Sequence, residues 1–311
     1  EHRVHARGVE RIARHQILAL RRQRTFVVLL ATLLVMTALA GVLGWSSHRT
    51  ILGVYDESVK LLASRGQPAP ENPFRLKPSL SLLSNLVVYI PFIGALLAIL
   101  LGHVSLADDE TNGVGRLVFS RQITRSSYAI GKIIGAAVVL LAILGASFVV
   151  SYVSLWIVNG VVPTVNDSRR LVVFYLLSWL YLMVFALIGM ATVLLTKRRS
   201  LALLSAMGAW LVITFVLPQI TSGLRPTQSL NPITDPVSTS QAFFRVTAHA
   251  RSISIVEQYK QMSGRVLETT STTTSNLAGG IAALAAFAVV LAIATIVLVQ
   301  CHDYSTGTSS D

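Results

Sequence analysis

The chain has 311 residues, of which 53% are hydrophobic and only 13% charged, with a mean hydropathy of +0.64. A soluble domain carries about 25% charged residues, so a soluble enzyme and a disordered chain are both excluded, and a single cysteine excludes a disulfide scaffold. The formal charge is nonetheless +12, from 26 Lys and Arg against 14 Asp and Glu. A soluble nucleic-acid binder with that surplus would not be this apolar, which leaves an integral membrane protein with its basic residues gathered outside the bilayer.

In chain order, the leading tail comes first. Val9, Ile12, Ile17, Leu18 and Leu20 interleave with Arg11, Arg14, Arg21 and Arg22, the pattern of an amphipathic helix over residues 1–24 lying in the interface with its arginines against anionic headgroups. Six apolar runs follow, each near or above the roughly 20 residues that a spanning helix needs: Thr25–Trp45, Leu82–Leu106, Tyr128–Val158, Leu171–Leu195, Leu201–Ile220 and Leu277–Val299. They are continuous rather than alternating, which predicts six transmembrane helices and not a β-barrel. The first run competes with a signal-peptide reading, since Arg21, Arg22 and Arg24 precede an Ala38-Leu39-Ala40 sequence. It continues to Trp45, which favours a retained span with an interfacial aromatic. Because the chain opens at Glu1, native residues are expected before it.

Lysine and arginine set the orientation. Fourteen of the 26 lie in the tail, in the connection between spans two and three with Lys132 beside it, and in the turn Lys197-Arg198-Arg199. These are short segments beside the membrane, so both termini are expected to face the cytoplasm. Ser46–Ser81, Asn159–Arg170 and Thr221–Asn276 are then outer segments. The third, enlarged one holds Pro226, Pro232 and Pro236, then Ile253, Val256, Tyr259, Met262 and Val266 at helical spacing. Two readings stay open for that helix: one lying on the outer membrane face, and a docking surface for an extracytoplasmic protein. Residues 300–311 form a cytoplasmic tail.

The connection between spans two and three carries Asp108, Asp109 and Glu110 in succession, then Gly113, Arg116, Leu117, Val118, Phe119, Ser120 and Arg121; the next helix opens with Gly131-Lys132-Ile133-Ile134-Gly135. An acidic cluster, a glycine shortly after it, Leu-x-x-Ser, Arg, and Gly-Lys at the next helix start resembles the ABC-2 type (type V) permeases of ABC transporters. Val114-Gly115 and Gln122-Ile123 stand where that family commonly has Thr-Leu and Pro. The resemblance covers essentially the whole chain, and the long segment between spans five and six is most similar in layout to the permeases of nitrous-oxide-reductase maturation and gliding motility. It implies a bacterial inner-membrane location, a second permease copy forming a homodimer, and a cytoplasmic P-loop ATPase subunit that binds ATP and Mg. It also implies that segment 107–125 is the coupling segment, with Asp108, Asp109, Glu110, Gly113, Arg116, Leu117, Phe119 and Arg121 meeting that ATPase. Leu117, Val118 and Phe119 suit an apolar knob, with Arg116 and Arg121 as rim charges that set register. The competing reading is a solvated loop whose charges mark the membrane edge.

No Gly-x-x-x-x-Gly-Lys-[Ser/Thr] sequence occurs, so this chain has no P-loop, is not itself expected to be an enzyme, and is expected to bind no cofactor. One Cys and one His at Cys301-His302 are too few for a metal site. The spans contain almost no ionisable groups; His103 and Lys132 lie near span ends, and Lys132 is expected to snorkel. Lack of a mid-span carboxylate argues against ion coupling and for a pathway lined by weakly polar groups: Asn85, Tyr89, Ser147, Ser151, Tyr152, Ser178 and Tyr181. Such residues also serve as interhelical contacts. Pro91 predicts a hinge in span two, Pro218 ends span five, and Gly131 and Gly135, with Gly145-Ala146-Ser147, predict close packing of span three. The reading is a permease subunit that couples ATP hydrolysis by a separate ATPase to export or to conformational signalling, in contact with membrane lipid and an extracytoplasmic protein, and with no nucleic acid. The alternatives are a drug, antibiotic or lipid exporter permease, and a non-transporting membrane scaffold.

Overall fold

The computed structural model describes residues 24–68, 79–111, 124–196, 198–222, 254–269 and 277–302. Six of its helices are long and apolar enough to cross a membrane: Phe26–Ser64, Leu80–Asp109, Arg125–Val158, Val165–Leu195, Arg199–Thr221 and Leu277–Cys301. Each overlaps one predicted run, and the described residues form no strand. Helices satisfy every backbone N–H and C=O internally, which hydrocarbon requires. The predicted interfacial helix lies outside the described residues except for Arg24, which opens the first helix.

The spans alternate in direction. The start of span one, the end of span two, the start of span three, the end of span four, the start of span five and the end of span six therefore share one side, called here the junction side.

Spans two and four form the centre, with spans one, three, five and six around them presenting much of their apolar surface outward. The central crossing is backbone on backbone. A methyl group at Gly102 would collide with the Ala186 carbonyl oxygen, and one at Gly189 with that of Ile99. Close approach of this kind is how helices gain van der Waals contact where lipid offers no hydrophobic drive. The expected contact of Gly145-Ala146 with a neighbouring span is not found among the described residues: both residues are exposed, and Gly145 faces open space, while Ser147 is buried.

Helix ends differ from expectation wherever helix propensity outlasts hydropathy. Span one continues past Trp45 to Ser64, so the outer segment expected from Ser46 is helical for its first half. A left-handed Gly66 (φ +67°) stops it, with Gln67 N–H donating to Leu62 O and Gly66 N–H to Ala63 O. At 41 residues this helix is about 60 Å long, twice the hydrocarbon thickness. The expected Asn159–Arg170 loop shrinks likewise. Span three ends on left-handed Gly160, and Thr164 with Asp167 forms a capping box that starts span four at Val165.

At Pro91, where a hinge is predicted, the helix is irregular in a specific way. Lacking an N–H, it shifts the ladder, and Ile90–Gly94 widens into a π-turn closed by Ala95 N–H on Ile90 O. Span five widens the same way over Val212–Val216 just before Pro218, and the helix runs on to Ser222, so Pro218 does not end it. The two widened turns meet. Trp210 Nε1 donates to Pro91 O at 3.2 Å, and the rings of Phe92, Trp210 and Phe215 pack edge to face at 5.5–6.5 Å.

The largest departure is the helix Ile255–Val266. The amphipathic pattern was correct, but the helix lies inside the bundle, against spans four and six and the widened turn of span five. Val256, Tyr259, Met262 and Val266 are buried, and so are Glu257, Lys260 and Ser263 on its polar side. Most of the helix is covered by the bundle, while Gln261 is exposed and Gln258 and Arg265 on the same side are half-buried, which leaves one narrow polar strip for an outer contact.

Candidate functional site

The junction side is built around the two described ends of segment 107–125. Asp109, on the last turn of span two, and Lys132, two turns into span three, form an ion pair of 2.6 Å with side chains 9% and 5% exposed. Tyr128 donates its hydroxyl proton to the same Asp109 Oδ2 at 2.7 Å, Lys132 Nζ also donates to Ser105 O at 2.7 Å, and the ammonium lies 5.6 Å from the Tyr128 ring centre. Spacing explains the convergence. Ser105 and Asp109 lie one turn apart on span two, and Tyr128 and Lys132 one turn apart on span three, so each pair shares a face. Lys132 therefore turns inward and does not snorkel. A buried carboxylate one turn from an accepting carbonyl satisfies it better than a climb to the interface. Removing one member of such a pair costs about 3–5 kcal/mol, because the other is left buried and unpaired.

Around this pair the remaining helix ends are tied together. Asp108 Oδ1 meets Arg199 Nη2 at 2.7 Å, which joins span two to the start of span five. Arg125 donates to Gln300 O at 2.6 Å and His302 O at 3.2 Å, where the exposed carbonyls at the end of span six favour a cation. Gln300 Nε2 donates to Ser126 Oγ at 2.8 Å, and His302 Nδ1 lies 3.2 Å from Leu194 O, joining span six to span four. Thr124 caps span three by accepting from Ser127 N–H at 3.3 Å.

Of the residues predicted to meet an ATPase, Asp108 and Asp109 are thus held in this rim. Glu110 is helical in its backbone, with its side chain outside the described residues, as are Gly113, Arg116, Leu117, Phe119 and Arg121. Sequence reasoning does not identify Lys132, Tyr128 and Arg199 as partners of the acids. The available signal was a lysine inside an apolar run, which in a membrane calls for a counter-charge.

The predicted pathway residues fall into separate groups. Tyr175 of span four donates to Ser147 O at 2.9 Å and receives Ser151 Oγ at 2.7 Å, a link between spans three and four. Tyr152 stacks on Phe148 in the same region. Asn85 and Tyr89 lie at the irregular start of span two, where the Asn85 carbonyl accepts the N–H of Val88 and of Tyr89 at 3.0 Å. Ser178 and Tyr181 meet the buried helix. The Tyr259 hydroxyl donates to Ser178 Oγ at 2.8 Å, and its ring stacks on Tyr181 at 4.5 Å. Ser178 is two turns inside the apolar run of span four, about 10 Å by the helical rise, so Tyr259 enters the membrane zone. Gly131 and Gly135 are buried on span three.

The buried helix is held at both ends. Ser254 caps its start, and Thr221 Oγ1 of span five lies 3.0 Å from Glu257 Oε2. At its end Glu268 adopts a left-handed φ of +55° and pairs with Arg170 of span four. On span six, Gly280 leaves room for Met262, whose sulfur would meet any Cβ there. The middle is less complete. Ser263 Oγ, Tyr181 OH and Thr214 Oγ1 are buried without a well-formed hydrogen bond among the described residues, Ser263 lying beside Tyr259 and Thr214 beside Tyr181.

Among the described residues no group of three His, Cys, Asp or Glu gathers to hold a metal. No curated protein matches the chain. Residues 11–301 match the family described as ABC-2 family transporter protein. With that match over nearly its whole length and six spans around a clamped connection, the chain belongs to the ABC-2 family of transporter proteins, the membrane-embedded permeases of ABC transporters.

Proposed function

We propose that this permease is driven by a separate P-loop ATPase which docks on segment 107–125, and that it couples ATP hydrolysis to export or to conformational signalling across the membrane. The observation that carries the reading is the rim of the junction side, where the ends of spans two, three, four, five and six are joined by hydrogen bonds and ion pairs around the two ends of that segment. A push on the segment enters the whole bundle and not one helix. The basic rim supports a cytoplasmic assignment of this side, and the membrane in this reading is a bacterial inner membrane. A homodimer supplies the second half of the pathway, ATP and Mg are bound by the partner chain, and an extracytoplasmic protein is met on the far side.

The buried helix is the moving part on the far side. The Ser263 hydroxyl of that helix and those of Tyr181 and Thr214 near it lack a well-formed hydrogen bond among the described residues and would be hydrated on withdrawal, which eases displacement relative to an apolar plug.

The test is Arg116→Glu, Arg121→Glu and Phe119→Asp together in the chain expressed with its ATPase. Co-purification and permease-dependent ATP turnover are both expected to fall at least tenfold. Survival of both overturns the docking assignment.

A further inference from the structure

We infer that Asp109, Lys132 and Tyr128 act as one buried positioning clamp that transmits motion from the coupling segment, distinct from the surface that meets the ATPase; this rests on the coupling reading above. The segment leaves span two at its last turn and returns to span three at Thr124. If these two helix ends could part, a displacement of the segment would be absorbed by spreading them. The clamp prevents this with three contacts of 2.6–2.7 Å, Asp109 to Lys132, Tyr128 to Asp109 and Lys132 to Ser105 O, each crossing from one helix to the other.

Direction and burial separate the clamp from the docking surface. The carboxylate and ammonium face the bundle, and Asp109, Lys132 and Tyr128 are 7%, 4% and 2% exposed. Asp108, its neighbour, points the other way to the half-exposed Arg199. One residue step on a helix turns a side chain by about 100°, so two adjacent acids divide two tasks. Asp108 ties the rim to span five, and Asp109 makes spans two and three a single lever. A charged pair also suits this task better than an apolar contact. It is directional and specifies one register between the helices.

The clamp differs from ordinary structural packing in what its replacement should do. Exchanging a buried ion pair for apolar side chains of similar volume leaves stability about unchanged or raises it, while the directional tie is lost. The experiment uses the permease–ATPase complex in lipid nanodiscs, with Cys301→Ser and Ser263→Cys, and reads the maleimide labelling rate of the buried helix with and without ATP. In this parent, ATP is expected to change labelling at least threefold. In Asp109→Leu/Lys132→Met, melting should stay within a few degrees and the ATP response should fall below 1.5-fold. The reversed pair Asp109→Lys/Lys132→Asp should recover at least half of the response.

A full response in the Leu/Met variant overturns the clamp, and so does loss of ATPase assembly in it, which would place Asp109 on the docking surface. A parent complex with no ATP response overturns the coupling reading itself, and the clamp with it.

Discussion

At the scale of single residues, the junction depends on charges that composition hides. Lys132 is one of 26 basic residues and looks like an ordinary boundary lysine; its role follows from the carboxylate of Asp109 and the carbonyl of Ser105 within 2.7 Å. Lys132→Met alone should lower stability by about 3–5 kcal/mol by leaving Asp109 buried and unpaired. Tyr128→Phe should lower it by about 2 kcal/mol, the contribution of one hydrogen bond to a charged group. Denaturant unfolding in detergent micelles checks the ranking, and equal losses would contradict it. Glycines separate in the same way. Gly189 abuts the Ile99 carbonyl and Gly145 faces open space. Gly189→Ala should thus destabilise by about 1–3 kcal/mol, while Gly145→Ala should stabilise by about 0.5–1 kcal/mol through helix propensity. The same unfolding assay would contradict this account if the two changes had the same sign.

At the scale of elements, all six spans were legible because hydropathy is a local property of continuous runs. Their ends were not. Ser46–Ser64 is too polar for lipid yet contains nothing that stops a helix until Gly66, and Val165–Arg170 is polar but capped. The prolines announced irregularity in spans two and five, but not that both widen into π-turns that touch. The Ile255–Val266 helix shows the limit most clearly. Its stripe was readable from spacing alone, whereas its destination depends on Ser178, Tyr181, Thr221 and Gly280, each scattered along the chain and individually bland. The notch at Gly280 gives a test. Gly280→Leu should drive Met262 out and raise the labelling rate of Ser263→Cys, in the Cys301→Ser background, at least threefold. An unchanged rate would show that span six does not hold the helix in place.

At the scale of the molecule, the low charge and the basic surplus of the chain resolve into two zones. The centre, spans two and four, is closed by backbone contact at Gly102 and Gly189. The junction side gathers basic residues and helix ends into a rim joined to five spans, and the far side closes over a helix whose Ser263 hydroxyl lacks a well-formed hydrogen bond among the described residues. Under the proposed function, a motor acting on the rim and a helix that yields at the other side would form a lever across the membrane. Photo-crosslinking tests this most directly. With a photoreactive residue replacing Phe119 in the membranes of cells that express the chain, the account predicts one dominant adduct, identified by mass spectrometry as a P-loop ATPase. The same residue at Ile157, exposed at the far end of span three, should give none. Adducts from Phe119 that contain only lipid, or an ATPase adduct from Ile157 instead, would contradict it.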